Sequence, residues 1–281
     1  KKFNLYFNEL KKRGPDFMQV KKFFYKSKVI QLGFTRLAIQ DLDNKSDKIF
    51  YDDDSVILFN GEIYNVNELK QKYFSKHVFE TTSDTELLFN LYKKIGKEIL
   101  KELRGIFSII FIDLKHGTIQ MIRDFTGTKP LYYSKKANGL FFSSEAWFLY
   151  SLSNKEIDKD CLNFFINFGF TKNDQTLIKN VKKVPARNIC EFELIDFNYK
   201  IQEYYRIDQN KHNTLPSKDE IRSLMINITK RNLISDTKVG TFLSGGVDST
   251  TISLFAKNIN NNVEAFTTCY LPEKKFEKFN V

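Results

Sequence analysis

Long apolar runs are missing from this 281-residue chain. Runs such as Ile106 to Ile112 have the length of a strand and are far too short for a membrane-spanning helix. The start of the chain also lacks the basic segment followed by an apolar one that indicates a secretory signal. Because 42% of the residues are hydrophobic and 15% aromatic, we expect a folded cytoplasmic protein without a membrane partner.

Cysteine is scarce, and its spacing excludes two classes of site. Cys161, Cys190 and Cys269 are odd in number, far apart and without a C-x-x-C pair. This pattern is not that of a disulfide framework or a zinc site. We therefore expect three reduced thiols that fill the core.

Acidic residues are fewer than basic ones, 34 against 44, which gives a net charge of +10. A basic balance can indicate nucleic-acid binding. Here the excess is mostly lysine scattered along the chain, without an arginine-rich stripe, so we expect no nucleic-acid partner. The length suggests two domains of ordinary size.

The segment Ser244 to Ser249, Ser-Gly-Gly-Val-Asp-Ser, is the most informative motif that is present. It follows the strand-like run Val239 to Leu243 and opens a helix-like stretch, Thr250 to Lys257. Such a turn aims backbone N–H groups and a helix dipole at a phosphate, and Asp248 could hold Mg²⁺. The spacing and lysine of the Walker motif are absent. The alternative is an ordinary strand-to-helix turn.

A second cluster runs from Asn60 to Asn65, Asn-Gly-Glu-Ile-Tyr-Asn, after the strand-like Ser55 to Phe59. Asn-Gly is a strong turn signal, and the strand is expected to end there. A turn that exposes an amide and a Gly N–H side by side can form an oxyanion hole. The alternative is a plain hairpin turn.

The rest of the pattern places these motifs in two domains, 1–207 and 208–281, joined by a polar linker over 208–217. The first is rich in strands, including Val29 to Ile39 and a hairpin around residues 115–117. Its main helix is predicted to begin at a capping box, Ser83 to Glu86, and to end at Gly105. The second shows an α-β-α-β order that ends with a strand, Val263 to Tyr270. Two parallel strands cannot cover both faces of a sheet, so this domain looks incomplete.

Several segments, in order and approximate spacing, resemble the glutamine-hydrolysing asparagine synthetases over nearly the whole chain. They are Arg13-Gly14-Pro15-Asp16, Arg36-Leu37-Ala38-Ile39, Asn60 to Asn65, Ser83-Asp84, Arg123-Asp124 with Gly127 and Lys129-Pro130-Leu131-Tyr132-Tyr133, Ser144-Glu145, and Ser244 to Ser249.

The resemblance implies an α+β αββα sandwich of the N-terminal-nucleophile hydrolase type in 1–207. It implies the beginning of an α/β parallel-sheet ATP-pyrophosphatase domain in 208–281. The implied reaction converts aspartate, glutamine and ATP to asparagine, glutamate, AMP and diphosphate, through glutamine hydrolysis and a β-aspartyl-adenylate. ATP and Mg²⁺ are the implied cofactors, glutamine, aspartate and ATP the small-molecule partners, and a homodimer is one assembly that it allows.

The resemblance also implies roles for individual residues. Arg36 would bind the α-carboxylate of glutamine, and Glu62 and Asp84 would take its ammonium group. Asn60 and Gly61 match the oxyanion donors. The remaining expected contacts to glutamine come from the continuation of the Arg36 strand, Leu37, Ala38, Ile39 and Gln40. The expected ATP contacts are Leu243, Ser244, Gly245, Gly246, Val247, Asp248, Ser249 and Thr268, with Asp248 as the magnesium ligand.

The chain departs from the family at its first residue. The family's nucleophile is an N-terminal cysteine whose own amine serves as base, whereas Lys1 stands here and no cysteine precedes Cys161. We therefore expect this chain not to hydrolyse glutamine, and to have lost residues at both ends. Two alternatives remain. One is an amidotransferase of the same fold acting on a cell-surface sugar, a peptide or a β-lactam precursor, and the other is a ligand-binding fragment without catalysis.

Overall fold

A computed structural model describes residues 2–41, 46–137, 139–152, 154–207 and 215–269. Most of the predicted linker and the end of the predicted strand at Tyr270 lie outside the described residues. The chain divides into two compact units, Lys1–Ile207 and Asp208–Val281. None of the described helices has the length and apolar character needed to cross a bilayer.

The first unit is built mainly from antiparallel strands. Its helices are α1 (Lys2–Glu9), α2 (Val66–Tyr73), α3 (Asp84–Ile95), α4 (Ala146–Leu152) and α5 (Lys159–Phe168). Its strands are β1 (Phe17–Tyr25), β2 (Lys28–Arg36), β3 (Phe50–Tyr51), β4 (Ser55–Ile63), β5 (Gly105–Asp113), β6 (Thr118–Arg123), β7 (Tyr132–Lys136), β8 (Gly139–Ser143), β9 (Lys182–Lys183), β10 (Asn188–Glu193) and β11 (Tyr199–Glu203). β5 and β6 form the predicted hairpin, with Asp113 opposite Thr118.

These strands form two packed sheet layers. One layer is a six-stranded sheet in the order β11-β10-β6-β5-β4-β3. The other contains the β1-β2 hairpin and a three-stranded sheet, β8-β7-β9. Side chains alternate along β5, so that Phe107, Ile109 and Phe111 pack with α3 while Ile110 and Ile112 pack against the second layer.

Helices cover the outer faces of both layers. Leu87, Leu88 and Leu91 of α3 lie in the core beside the six-stranded sheet. On the opposite side, Phe7 of α1 and Phe148 of α4 pack in a separate cluster with residues of β1, β7 and β8. The order helix, sheet, sheet, helix is the predicted αββα sandwich, and the fold class is confirmed.

The main helix is shorter than predicted. It ends at Ile95 because Gly96 has a φ of +71°, and a 3-10 segment, Gly96–Lys101, follows. Gly105 instead begins β5. Ser83 caps the helix by accepting from the Thr85 N–H at 3.1 Å. The expected capping box is wrong, because the Glu86 carboxylate accepts from the Glu80 and Thr81 N–H groups.

Asn60 and Gly61 lie inside β4, and the predicted turn at this point is wrong. They pair with Ser108 and Phe107 of β5. A Cβ on Gly61 would stand 2.1 Å from the Ile106 carbonyl oxygen, so glycine serves close strand approach here. Within the described residues, β3 pairs with β4 only at Val56 and Ile57, so the other edge of β4 is open beside Asn60 and Gly61.

The strand that carries Arg36 ends at that residue, so Leu37 to Gln40 do not continue it as predicted. The chain turns here because Arg36 Nη2 donates to the carbonyls of Gln40, at 2.7 Å, and Asp41, at 2.9 Å. The long arginine side chain thus closes the turn that follows its own strand.

The second unit has the predicted α-β-α-β order with shorter strands. It consists of α6 (Lys218–Asn232), β12 (Gly240–Phe242), α7 (Val247–Ile259) and β13 (Glu264–Phe266). β12 and β13 are parallel, with Gly240 opposite Glu264. The carboxyl ends of both strands therefore lie at one edge, where α7 begins.

Candidate functional site

One cavity of about 750 Å³ in the first unit gathers most residues that the sequence singled out for glutamine. The residues of this set that line it are Arg36, Leu37, Ile39, Gln40, Asn60, Gly61, Glu62 and Asp84. Ala38 is not part of the lining, and its N–H donates to Asp16 Oδ2 at 2.8 Å. β2, β4 and the start of α3 thus bring residues distant in sequence to one space.

Arg36 is held by contacts on both of its terminal nitrogens. Its Nη1 is 2.6 Å from Asp47 Oδ1, and only 11% of the side chain is exposed. Its other terminal nitrogen donates to the two carbonyls described above. A planar fork fixed in this way is pre-oriented for a second carboxylate at the cavity.

The segment 13–16 shapes the same place. Pro15 bridges to Arg36, and the Asp16 N–H donates to the Arg36 carbonyl at 3.1 Å. Gly14 permits this approach, because a Cβ there would be 2.5 Å from the Arg36 nitrogen. Arg13 Nε lies 3.2 Å from Glu145 Oε1, which joins two segments on which the family resemblance rests.

Glu62 and Asp84 form the acidic part of the cavity. Burial raises the pKa of Glu62, while the Gln40 amide and the charges of Lys129 and Arg36 lower it. Burial, with a further contribution from the Glu62 charge, raises the pKa of Asp84 to about 7. Asp84 is 7% exposed, and its Oδ2 accepts from the Ile63 N–H at 3.0 Å. Two carboxyl groups that favour a proton are well suited to receive a cation.

The Arg123-Asp124 pair organises the loop that follows β6, a role that sequence reasoning did not assign. Asp124 is fully buried, and its carboxylate accepts from the backbone N–H groups of Phe107, Thr126, Thr128 and Lys129. Arg123 donates to the carbonyls of Lys129, at 2.9 Å, and Val184, at 2.6 Å. The Asp-x-Thr spacing at 124–126 is a local turn signal that could have indicated this loop.

Among the described residues that line the cavity there is no cysteine. Cys161 and Cys190 are buried free thiols, as expected of core residues. Burial raises the pKa of the Cys190 thiol to about 12, which makes it unreactive at neutral pH. Cys269 is exposed, so its prediction as a core residue is wrong.

The Ser244 to Ser249 segment joins β12 to α7 in the second unit. Ser244 Oγ and Ser249 Oγ are 3.0 Å apart, and Ser249 Oγ donates to the Gly246 carbonyl at 3.1 Å. Gly245 has a φ of +80°. Gly246 is the N-cap of α7 and offers no side-chain cap, so the first turn keeps N–H groups for an anion.

The other residues predicted to contact ATP lie at the same strand edge. The Leu243 N–H donates to the Phe266 carbonyl at 2.8 Å, extending the pairing of β12 with β13. Thr268 follows β13 by two residues and is exposed. Asp248 is exposed in the first turn of α7. The described residues contain no group of three or more His, Cys, Asp or Glu that could hold a metal by itself.

Two protein-family profiles match the chain, one over each of its two units. The profile of the glutamine amidotransferase domain family matches residues 1–205, and that of the asparagine synthase family matches residues 220–280. The chain belongs to the glutamine amidotransferase domain family. The αββα cavity unit is thus the part that matches this family, and the Ser-Gly-Gly loop lies in the part that matches asparagine synthases.

Curated relatives agree with this membership. A putative asparagine synthetase [glutamine-hydrolyzing] 2 of Methanocaldococcus jannaschii is 35% identical, covering 86% of this chain and 51% of the relative. Asparagine synthetase [glutamine-hydrolyzing] 1 of Bacillus subtilis is 33% identical, covering 91% of this chain and 40% of the relative. The chain spans about half the length of these relatives or less.

A solved structure supports the fold. The glutamine phosphoribosylpyrophosphate amidotransferase of B. subtilis, in complex with ADP and GMP, is similar over all of this chain and 68% of its own, with a TM-score of 0.51 and 14% identity.

Proposed function

We propose that the protein transfers the amide nitrogen of glutamine to the side-chain carboxylate of aspartate, at the expense of ATP. Glutamine and water give glutamate and ammonia. The aspartate carboxylate attacks the α-phosphorus of ATP and releases diphosphate, and ammonia then displaces AMP from the β-aspartyl-adenylate. The observation that carries the proposal is the single cavity in which Arg36, Asn60, Glu62 and Asp84 meet.

In this proposal the cavity binds glutamine by its charged ends. Arg36 receives the α-carboxylate, because its fork is fixed and faces the cavity. Glu62 and Asp84 receive the α-ammonium, since burial makes a cationic partner favourable for both carboxylates. Asn60 and Gly61 lie on the open edge of β4 and would donate to the oxygen that develops charge as the amide is attacked.

None of the three cysteines is placed to attack glutamine in the cavity, so we propose that residues 1–281 bind glutamine without hydrolysing it. Cys161 and Cys190 are buried away from the cavity lining, and Cys269 belongs to the second unit. The buried reduced thiols are consistent with a cytoplasmic location, which we propose as well.

The second unit is proposed to bind the ATP. Residues 244–249 would hold the phosphates through the serine hydroxyls and the N–H groups at the start of α7. Asp248 fits a magnesium ion that comes with the nucleotide, because Mg²⁺ commonly takes one or two carboxylates together with phosphate oxygens and water. Magnesium would neutralise phosphate charge there.

Two measurements test the proposal. Calorimetry should detect binding of L-glutamine and no binding of D-glutamine, whose α-groups cannot reach Arg36 and Glu62 together. With ATP·Mg²⁺ and aspartate, ammonium should support diphosphate release and asparagine formation if the synthase reaction is right. Absence of L-glutamine binding would reject the cavity assignment, whereas diphosphate release that does not depend on aspartate would reject the acceptor.

A further inference from the structure

Both backbone polar groups of Lys129 are fixed by one buried pair of neighbouring residues. The Lys129 N–H donates to Asp124 Oδ2 at 2.9 Å, and its carbonyl accepts from Arg123 Nε at 2.9 Å. Arg123 is 8% exposed and Asp124 fully buried. Arg123 also donates to the Gly127 carbonyl, which tightens the loop just before Lys129. Two buried side chains that bond the N–H and the carbonyl of Lys129 fix the point from which the Lys129 side chain extends.

The Lys129 side chain lines the glutamine cavity. It is half-buried, and its ammonium makes no hydrogen bond or ion pair with any residue in the described part of the chain. Its charge nevertheless acts on Glu62, and more strongly than the charge of Arg36 does. Lys129 and Glu62 line the same cavity, so the lysine charge can act on the carboxylate through that space.

We propose that Lys129 is a positioning residue of the glutamine cavity, whose ammonium keeps Glu62 in the ionised form that receives the α-ammonium of the substrate. This inference rests on the proposed function of the cavity. Lys129 acts through Glu62 and need not touch the ligand. This role for Lys129 explains why Arg123 and Asp124 are bonded to its backbone, because they support the loop that carries the lysine charge.

The pKa of Glu62 depends on all the charged and polar groups that face it. The Gln40 amide donates to Glu62 Oε2 at 2.6 Å, and Arg36 is a second cation. Asp84 at the start of α3 and Tyr64 after β4 interact unfavourably with the Glu62 charge. Burial is the largest influence and favours the neutral acid, so the net pKa of Glu62 is raised. Loss of the lysine charge would raise it further.

The test is the pH dependence of L-glutamine binding in wild type, Lys129→Met and Lys129→Arg, by calorimetry between pH 5 and 9. Lys28→Met is the matched control, because Lys28 also lines the cavity but its ammonium lies over the Phe197 ring. In parallel, carbon-13 NMR of the glutamate carboxyls follows Glu62 directly, with Glu62→Gln to assign its resonance. The backbone contacts of residue 129 do not use its side chain, so the loop should persist.

We expect the pH at which binding is lost on acidification to rise by about one unit in Lys129→Met, together with the Glu62 NMR titration. Arginine should restore both, and Lys28→Met should change neither. At pH 9 the methionine variant should bind within about twofold of wild type. The inference would be overturned if Lys129→Met bound glutamine more weakly by the same factor at every pH, or if the Glu62 carboxyl titrated at the same pH as in wild type. Failure of wild type itself to bind glutamine would reject the site as well.

Discussion

The side-chain amide of Gln40 donates to the carboxylate of Glu62, with Nε2 and Oε2 2.6 Å apart. Across the same cavity, the Asp47 carboxylate pairs with Arg36 at 2.6 Å. The two groups proposed to bind the ammonium and carboxylate of glutamine thus already hold an N–H donor and a carboxylate from the chain itself. Glutamine can bind beside Asp47 at Arg36, which keeps further N–H groups, but it competes with the Gln40 amide at Glu62.

Removal of the Gln40 amide should therefore strengthen glutamine binding at pH 9, where Glu62 stays ionised although loss of this donor raises its pKa. Gln40→Leu frees Glu62 from a competing donor but keeps the Gln40 carbonyl that Arg36 uses. A hydrogen bond to a charged group contributes about 1.5 kcal/mol, so L-glutamine should bind roughly tenfold more tightly. Calorimetry measures this, with Gln71→Leu at an exposed position of α2 as the control. Weaker binding in Gln40→Leu would show that the amide assists the ligand.

The Asp84 carboxyl should make the first unit less stable as the pH rises. Its pKa of about 7 in the folded chain lies above the ordinary value of 3.8, so the folded state holds the proton more tightly. The free energy of unfolding should fall between about pH 4 and pH 7, by up to about 1.4 kcal/mol per pH unit from this group. Asp84→Asn should flatten that slope, because its amide oxygen can still accept from the Ile63 N–H.

Urea unfolding at several pH values checks this slope. The chain has one tryptophan, Trp147 on α4, so its fluorescence reports on the first unit. An equal slope in wild type and Asp84→Asn would show that Asp84 is ionised throughout this range.

Substitution of Gly61 should damage the pairing of β4 with β5. In Gly61→Ala the new Cβ would collide with the Ile106 carbonyl at 2.1 Å, and the cost should be about 2 to 4 kcal/mol. Gly139→Ala in β8 is the matched control, since its nearest contact would be Phe141 at 3.5 Å. It should change stability by less than about 1 kcal/mol. Equal effects in thermal melts would contradict the close approach of the strands.

Replacement of the Asp124 carboxylate by an amide should destabilise the first unit. Each of its carboxylate oxygens accepts from backbone N–H groups, Oδ2 from Phe107 and Lys129, and Oδ1 from Thr126 and Thr128. Asp124→Asn turns one acceptor into a donor facing donors, which should cost about 3 kcal/mol or more. Asp196→Asn, at an exposed turn, should cost below about 1 kcal/mol. Chemical unfolding followed by Trp147 compares the two.

Asp248 should govern the magnesium dependence of ATP binding. Asp248→Asn removes the carboxylate proposed to hold the ion and should weaken ATP·Mg²⁺ binding about tenfold, with little effect on ATP alone. Asp219→Asn is the control, because it removes an exposed aspartate from the first turn of another helix, α6. If Asp248→Asn lost the same affinity for ATP with and without magnesium, Asp248 would shape the phosphate loop and would not bind the ion.

Local patterns in the sequence predicted much of the architecture. A short apolar run and the turn that follows it located the β5-β6 hairpin, and helical periodicity located the start and buried face of α3. The turn chemistry of Ser244 to Ser249 predicted the strand-loop-helix order of the second unit. These features depend on neighbours along the chain, so they can be read without knowledge of what packs against them.

The sequence by itself thus determined the fold class, the order of the elements and the residues of interest. Only the tertiary structure decided that Asn60 and Gly61 lie within a strand and that the Gln40 amide donates to the Glu62 carboxylate. It also decided that the side chains of Arg123 and Asp124 bond the backbone of Lys129. Each of these depends on strand register or on contacts between segments far apart in sequence. A contact of that kind is set by which faces are buried together, and no local pattern specifies it.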